Sequence, residues 1–155
     1  MPADPSLPPE QARRLDELFR SDRWAGELGA ELVTWGGGTA EVALRTGERH
    51  HNFGGLVHGG VLFSLADVAL SYASNSWGRV ALALGVDAQF LRAAGTGRLV
   101  ARATEVSRTR RTGAYRLEVH EGADRLVATF SGLTFRTDEW HFGDDAWPAP
   151  WVAAH

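Results

Sequence analysis

The chain contains no cysteine, no lysine and no long apolar run among its 155 residues. Without cysteine it forms neither a disulfide nor a cysteine-ligated zinc site, and it has no thiolate nucleophile. All 16 basic residues are arginine. Schiff-base chemistry and a phosphate-binding P-loop both need a lysine, so both are excluded. No apolar run reaches the roughly 18 residues that a membrane span requires.

The composition indicates one globular domain with a substantial core, since 44% of the residues are hydrophobic and 23% are charged. The N-terminal sequence MPADPSLPPEQARR lacks the apolar segment of a signal peptide, so we expect a cytoplasmic protein that does not enter a membrane. The formal net charge of -3 argues against a nucleic-acid-binding surface.

The order of the predicted elements favours an α+β fold. A short amphipathic helix in PPEQARRLDELFRSDRW comes first, followed by two strands, GELGAELVTW and TAEVALRT, on either side of three glycines. A long apolar helix covers roughly residues 58–77. Four strands follow, VALALGVDAQFLR, GRLVARATEVSR, GAYRLEVHE and DRLVATFSGLTFRT. One long helix among six strands predicts an antiparallel sheet curled around that helix, and its exposed edges predict dimerisation.

Asp67 is the one charged residue within the long apolar helix. At helical spacing, Gly60, Ser64, Ser71 and Ser74 fall on the same narrow stripe of small residues. Burying an unpaired carboxylate costs several kcal/mol and raises its pKa, which makes Asp67 a candidate general base or nucleophile. The alternative is a structural carboxylate that is solvated or paired with an arginine.

The loop before this helix has the composition of an oxyanion hole. In GGLVHGG, Gly59 and Gly60 lie at the helix N-terminus, where backbone N–H groups lack intrahelical acceptors and the helix dipole is positive. Neither glycine has a Cβ to hinder a ligand oxygen. Gly60 and Ser64 are therefore candidate substrate contacts. The alternative is that His58 and the glycines only form a tight turn.

The distance between these two features predicts a site shared by two chains. Gly59 and Asp67 are eight residues apart on one helix, which is about 12 Å along its axis. A reacting carbonyl must lie about 3 Å from both its hydrogen-bond donor and its attacking group. One helix cannot supply both groups, whereas two antiparallel copies related by a twofold axis can. The hypothesis is a homodimer with two equivalent sites.

The segment HNFGGLVHGGVLFSLADVALSYASN resembles the signature of hotdog-fold acyl-CoA thioesterases of the PaaI type, named for the phenylacetate pathway. VDAQFLR and SRTRRTGAYRLEV resemble the strands that follow in that family. The resemblance covers residues 25–136, which leaves residues 1–24 as an N-terminal segment with a short helix and residues 137–155 as a tail rich in Trp and Pro.

The resemblance implies a curved six-stranded antiparallel sheet wrapped around the long helix, in dimers that pair into tetramers. Asp67 would be the catalytic carboxylate, and the Gly59 N–H of the partner subunit would bind the thioester oxygen. His58 and Asn52 would help to hold the carbonyl or the water. The expected reaction is hydrolysis of a small, phenylacetyl-type acyl-CoA, with water as the second substrate and no cofactor apart from the CoA of the substrate.

One position departs from the family pattern. Relatives carry Ser or Thr at or near the position two residues before Asp87, and here that residue is Gly85. This difference favours a second hypothesis, a non-catalytic acyl-CoA sensor or carrier on the same fold. A dehydratase or hydratase is a third alternative, but it needs a differently arranged His and acidic partner, which HGGVLFSLAD does not present.

Arginine is concentrated between Phe90 and Arg116, where seven arginines accompany a single acidic residue. Guanidinium groups suit the phosphates of CoA. The candidate phosphate contacts are Arg92, Arg108, Arg110 and Arg111. The alternative is a charged strand edge that discourages aggregation. No aromatic residues interleave with the cluster, which argues against nucleic acid.

Two further features of the sequence have less specific interpretations. The spacing of His50, His51 and His58 fits no ligand pair on a helix face or hairpin, so we predict no metal site. The tail contains three of the six Trp residues. It caps a neighbouring subunit, covers the acyl pocket or packs on the surface, and we favour surface packing.

Overall fold

The computed structural model describes residues 6–155. The helices are α1 (Pro9–Arg20), α2 (Arg23–Leu28), α3 (Gly59–Asn75) and α4 (Ala149–Ala154). The strands are β1 (Ala30–Gly36), β2 (Thr39–Arg45), β3 (Arg79–Phe90), β4 (Arg98–Arg108), β5 (Thr112–Glu121) and β6 (Arg125–Trp140). Short 3-10 turns lie at Glu48–His50 and Asp144–Ala146.

The six strands form one sheet in the order β1-β2-β4-β5-β6-β3, and every neighbouring pair is antiparallel. α3 contacts all six strands, so the sheet curls around it. The predicted hotdog architecture is therefore confirmed. β1 and β3 form the two edges of the sheet, and β3 borders α3 near its first turn.

The apolar face of α3 supplies the centre of the core. Leu62, Leu65, Ala69 and Tyr72 lie on this face, and each is at most 4% exposed. Complete burial of one such large side chain contributes roughly 1.5–3 kcal/mol relative to exposure. Phe19 of α1 stacks on the Tyr72 ring at 5.0 Å between ring centroids, so α1 packs against α3.

The prediction of a strand over GELGAELVTW was partly wrong, because its first residues belong to the short helix α2. The Asp22 side chain caps this helix by accepting hydrogen bonds from the backbone N–H groups of Trp24 and Ala25, at 2.9 and 3.2 Å. Gly29 ends the helix in a left-handed conformation with φ 81°. The N-cap and glycine signals were present in the sequence, but six residues are too few to show helical periodicity. α2 also crosses the boundary that we drew after residue 24.

The C-terminal segment packs against its own chain. β6 continues to Trp140, beyond the expected domain end at residue 136. The side-chain amide of Gln11 donates to the carbonyl oxygen of Ala146, and Trp151 Nε1 donates to the carbonyl oxygen of Trp77 at 3.1 Å. The helix α4 was not predicted. These contacts join the tail to α1 and to the turn after α3.

No helix among residues 6–155 combines the length and the apolar character needed to cross a bilayer.

Gly78, in the turn after α3, is expected to be intolerant of a side chain. Its φ is 91°, and a Cβ there would lie 2.2 Å from the Trp147 ring. Gly78→Ala should therefore lose roughly 1–2 kcal/mol for the left-handed backbone and about 1–3 kcal/mol more for the displaced ring. Denaturant unfolding measures the total loss.

Gly122→Ala is the matched control for this substitution. Gly122 also has a positive φ, 65°, but a Cβ there would meet no atom within 4 Å. An equal loss of stability in the two variants would show that the contact with Trp147 contributes nothing.

Candidate active site

Asp67 lies in the middle of α3 and is partly buried. No residue in the described range 6–155 forms a hydrogen bond or an ion pair with its carboxylate. Burial raises the pKa of Asp67, and the negative charge of Asp22 raises it further. The negative charge of Asp67 thus has no cation or hydrogen-bond donor beside it among residues 6–155, as expected of a base or nucleophile rather than a structural ion pair.

The start of α3 leaves one backbone donor unpaired. His58 is the N-cap, and its Nδ1 accepts a hydrogen bond from the Gly60 N–H at 2.8 Å. The His58 carbonyl oxygen accepts from the Val61 N–H at 2.9 Å. The Gly59 N–H has no partner among the described residues. The donor predicted to bind the thioester oxygen is therefore available at the helix tip.

The capping bond also determines the tautomer of His58. Because Nδ1 accepts a hydrogen bond, the proton of the neutral ring is on Nε2. The ring is exposed, so Nε2–H can donate to a ligand or a water. His58 can consequently act as a second hydrogen-bond donor beside Gly59.

Asn52 organises the loop that precedes the helix. Its Oδ1 accepts hydrogen bonds from the backbone N–H groups of Gly54 and Leu56, at 2.8 and 3.3 Å. Because both backbone N–H groups are donors, the side-chain atom that accepts from them is the amide oxygen. The Nδ2 group of Asn52 is then able to donate a hydrogen bond. Asn52 therefore stabilises the loop with one end of its amide and offers a donor with the other.

A pocket of about 270 Å³ lies beside the helix tip. Asn52, Gly59, Phe90 and Arg92 contribute to its wall. A Cβ on Gly59 would lie 3.5 Å from the Phe90 ring, which is ordinary contact distance. Arg92 is exposed and donates from Nη1 to the Leu126 carbonyl oxygen at 2.8 Å. Three of the predicted site residues thus meet in one pocket, together with Phe90, which was not predicted.

Asp67 does not line this pocket, since it lies two turns further along the helix. Gly60 is exposed and Ser64 is partly buried in the intervening turn. Gly59 and Asp67 are therefore separated along α3 in the folded chain, as the prediction of a site shared by two chains requires.

The edge strand β3 exposes large apolar side chains. Leu82 is 59% exposed and Leu84 is 60% exposed. An unpaired, apolar strand edge is an expected surface for pairing with another chain.

The predicted phosphate contacts in the turn between β4 and β5 lie at the other end of α3. Arg108 forms an ion pair with Glu105 at 3.3 Å and stacks 3.9 Å from the centroid of the Trp77 ring. Arg111 pairs with the exposed Asp138 at 3.0 Å. Arg110 is exposed. Within one chain, these three arginines are therefore not near Gly59.

One contributor to the environment of Asp67 was not predicted from the sequence. Asp22, in the corner between α1 and α2, is the one charge that perturbs Asp67. The Tyr72 hydroxyl donates to Asp22 at 3.2 Å and so joins this corner to α3. No local pattern relates Asp22 to Asp67, because the two residues are 45 positions apart and meet only through packing.

No group of three or more His, Asp or Glu side chains in residues 6–155 is arranged to hold a metal ion.

Comparison with known proteins identifies the class. Residues 54–128 match the thioesterase superfamily. The acyl-coenzyme A thioesterase PaaI of Escherichia coli K12 is 34% identical over 120 residues, which cover 77% of this chain and 86% of the relative. The chain therefore belongs to the thioesterase superfamily as a PaaI-type acyl-CoA thioesterase.

Solved structures agree with this assignment. The E. coli PaaI structure aligns with a TM-score of 0.78 at 32% identity, covering 83% of this chain and 94% of that one. A mutant of the phenylacetic acid degradation protein PaaI from Thermus thermophilus aligns with a TM-score of 0.72 at 40% identity, and the alignment covers 75% of this chain and 100% of that one. The protein is accordingly a thioester hydrolase.

The raised pKa of Asp67 predicts a pH-dependent effect on stability. The native state binds this proton more tightly than the unfolded chain, so stability falls as the pH rises from the ordinary Asp value of 3.8 through the raised pKa. Asp67→Asn is neutral throughout, and it should be more stable than the wild type at neutral pH. Below pH 3.8 the difference should disappear.

Denaturant unfolding of both proteins at neutral and acidic pH measures this difference. Asp124→Asn removes an exposed carboxylate and controls for the change in net charge. A destabilised Asp67→Asn variant at neutral pH would show that the carboxylate has a compensating partner after all.

Proposed function

We propose that the protein hydrolyses a small, phenylacetyl-type acyl-CoA to the free acid and CoA at a site built from two subunits. The observation that carries this proposal is that α3 bears both a reactive acid and a free hydrogen-bond donor. An uncompensated carboxylate lies in the middle of this helix, and an unpaired backbone N–H lies at its N-terminal tip. These are the two groups that thioester hydrolysis requires, a base or nucleophile and an oxyanion donor.

In the proposed mechanism, the thioester carbonyl accepts a hydrogen bond from the Gly59 N–H of one subunit. His58 Nε2–H and the Asn52 amide of the same loop are further donors for the carbonyl or the water. Asp67 of the other subunit either deprotonates water or attacks the carbonyl carbon itself. If Asp67 deprotonates water, the water oxygen adds to the carbonyl carbon, the C–S bond breaks, and the departing sulfur takes the proton that Asp67 removed. If Asp67 attacks directly, the C–S bond breaks to give a mixed anhydride and the CoA thiolate. Water then hydrolyses the anhydride to the free acid, which restores the carboxylate, and the thiolate takes up a proton released by that water. Charge that develops on the carbonyl oxygen is stabilised by the donors at the helix tip.

The homodimer is formed in this proposal by pairing β3 with β3 of a second copy. The exposed backbone edge and apolar side chains of β3 support this contact, because they would become paired and buried. The same arrangement sets two α3 helices side by side in opposite directions. Pairing of two such dimers into a tetramer follows the family resemblance.

The acyl group is assigned from the relatives. The E. coli structure is described as PaaI from a phenylacetic acid degradation operon, and the T. thermophilus protein as a phenylacetic acid degradation protein. An aromatic acyl group of this size suits the apolar side chains near the helix tip, of which Phe90 and Leu62 line the pocket. Arg92 and the arginines of the turn between β4 and β5 are proposed to contact the phosphates of CoA.

Gly85 supports the alternative, an acyl-CoA-binding protein without turnover. It is exposed on β3, and a Cβ there would meet no atom within 4 Å, so no neighbouring side chain fills the position of the absent hydroxyl. Such a protein would form a stable complex with acyl-CoA and release no thiol.

Thiol release from a panel of acyl-CoAs tests the proposed activity. Wild-type protein should release CoA thiol from phenylacetyl-CoA and related small aromatic thioesters faster than from long aliphatic ones. Asp67→Asn should reduce kcat by about 10²–10⁴, because the positioned base or nucleophile is lost. Stoichiometric binding without thiol release from any member of the panel would instead establish the alternative function.

Gly59→Pro tests the oxyanion donor, because proline removes the N–H and nothing else that the helix needs. Proline is well tolerated at the first position of a helix, and His58 already has the extended conformation favoured before proline, with φ -65° and ψ 137°. We expect kcat to fall by about 10²–10³. Gly59→Ala is the control, since it adds a Cβ at an ordinary distance from Phe90 and keeps the N–H.

Mixing the two inactive variants tests whether the site crosses the subunit boundary. A heterodimer of Asp67→Asn and Gly59→Pro subunits has one doubly defective site and one intact site if the site is shared. Activity should then return toward half of the wild-type value per heterodimer. If each chain built its own site, every site in the mixture would remain defective and no activity would return.

A further inference from the structure

The loop that precedes α3 carries large apolar side chains on its surface. Phe53 is fully exposed, and it is the most exposed of the large apolar residues in the described range 6–155. Leu56, Phe90 and Leu91, which line the pocket beside the helix tip, are exposed as well. A group of exposed apolar side chains of this kind indicates an interaction surface.

The loop that displays Phe53 is held in one conformation by its own hydrogen bonds. The Asn52 N–H donates to the Leu56 carbonyl oxygen at 2.7 Å, and the Gly55 N–H donates to the Asn52 carbonyl oxygen at 3.0 Å. The Asn52 side chain accepts from two further N–H groups of the loop. An aromatic side chain on a loop that is already ordered loses little conformational entropy when it docks, which favours its use as a binding anchor.

A second pocket, of about 330 Å³, lies where α1, α2, β1 and α3 meet. Two of its lining side chains, Phe19 and Tyr72, are stacked aromatic rings with an interplanar angle of 23°. The other apolar or small residues that line it are Ala25, Gly26, Ala30 and Leu32. We call it the corner pocket. Its size and its aromatic rings suit the insertion of one more aromatic side chain.

Two charged side chains of the corner pocket already have partners within the chain. Asp22 accepts from the backbone N–H groups at the start of α2 and from the Tyr72 hydroxyl. Arg20 donates from Nε to the Asp16 carboxylate at 2.7 Å. The third, Glu31, is exposed. The corner pocket is therefore better suited to an apolar group than to an ion.

The corner pocket lies on the side of α3 that the partner's helix tip approaches. Besides burial, the negative charge of Asp22 raises the pKa of Asp67, so this lining residue lies near the catalytic carboxylate. Tyr72 is five residues after Asp67, about 7.5 Å further along the helix axis. In the proposed dimer the Gly59 tip of one subunit meets Asp67 of the other, and Phe53 belongs to the loop that carries this tip.

We propose that Phe53 of each subunit docks into the corner pocket of the other subunit. The proposal rests on the two-subunit site of the function proposed above. The contact would fix the loop that carries Asn52 and Gly59 against the subunit that carries Asp67, so that the donors and the carboxylate are held at one distance. Phe53 and all the lining residues of the corner pocket except Tyr72 lie outside residues 54–128, which match the superfamily.

Phe53→Ala tests the anchor through the Kd of the homodimer, measured by sedimentation velocity on the intact chain. Loss of a buried aromatic anchor weakens an interface by about tenfold or more. The twofold axis repeats the contact, so each dimer contains it twice and the Kd should rise by about a hundredfold. Trp24→Ala is the matched control, because Trp24 is a 56% exposed aromatic residue that does not line the corner pocket.

Gly26→Leu tests the pocket from the other side of the contact. A Cβ on Gly26 meets no atom within 4 Å, so the chain accommodates a side chain there, and leucine is the better helix former. The added side chain should occupy the corner pocket and raise the Kd as Phe53→Ala does. Glu27→Leu is the control, since it adds the same side chain to α2 outside the pocket and should leave the Kd unchanged.

The double variant decides whether the two residues take part in one contact. If Phe53 docks beside Gly26, the contact is already lost in either single variant, and Phe53→Ala with Gly26→Leu should have the Kd of one of them. Two losses that multiply would show that the residues act at separate surfaces and would overturn the proposal. An unchanged Kd in Phe53→Ala would overturn it as well.

The dimer measurement does not depend on turnover, so the contact and the proposed hydrolysis can fail separately. Thiol release by the wild type, with the same Kd in wild type and Phe53→Ala, would overturn the contact and leave the thioesterase intact. Absence of thiol release from every thioester, with the expected losses of dimer affinity, would support the contact and overturn the proposed hydrolysis.

Discussion

Burial of the apolar helix α3 within the curled sheet is the constraint on which the other parts of this structure depend. The helix contacts every strand, and its large apolar side chains occupy the concave face of the sheet. This packing keeps Asp67 partly away from water, although a charged carboxylate is more stable in water. It also places the N-terminal tip of the helix at one end of the sheet, where the backbone cannot continue the hydrogen-bond pattern of the helix.

The chemistry of the candidate site depends on polar groups that lack a hydrogen-bond or ion-pair partner within the described chain. His58 caps Gly60 and Val61 but leaves the Gly59 N–H unpaired, and Asn52 uses only its oxygen to stabilise the loop. Asp67 has neither a cation nor a donor beside it in residues 6–155. Each of these unpaired groups costs stability in the isolated chain, and each can bind or attack a thioester.

The elements that could be predicted are those with a strong local pattern. α3 was predicted over roughly residues 58–77 and is found at Gly59–Asn75, and all six strands were predicted as strand-like segments of the sequence. The short helices α2 and α4 were missed because six residues do not establish a helical period. α4 packs through Trp151 against Trp77, which comes from a distant part of the chain. A local pattern does not reveal a helix that distant packing stabilises.

The sequence by itself determined the candidate reactive groups, because a lone carboxylate in an apolar helix and a glycine-rich helix start are local features. It also predicted that one helix could not bring the two together, because the rise per residue is constant. Only the tertiary structure decided which donors are paired, how Asp22 acts on Asp67, and that Arg108 stacks on the Trp77 ring at the end of α3 away from Gly59. These properties depend on distances between residues far apart in the chain, and such distances are set when the sheet closes around the helix.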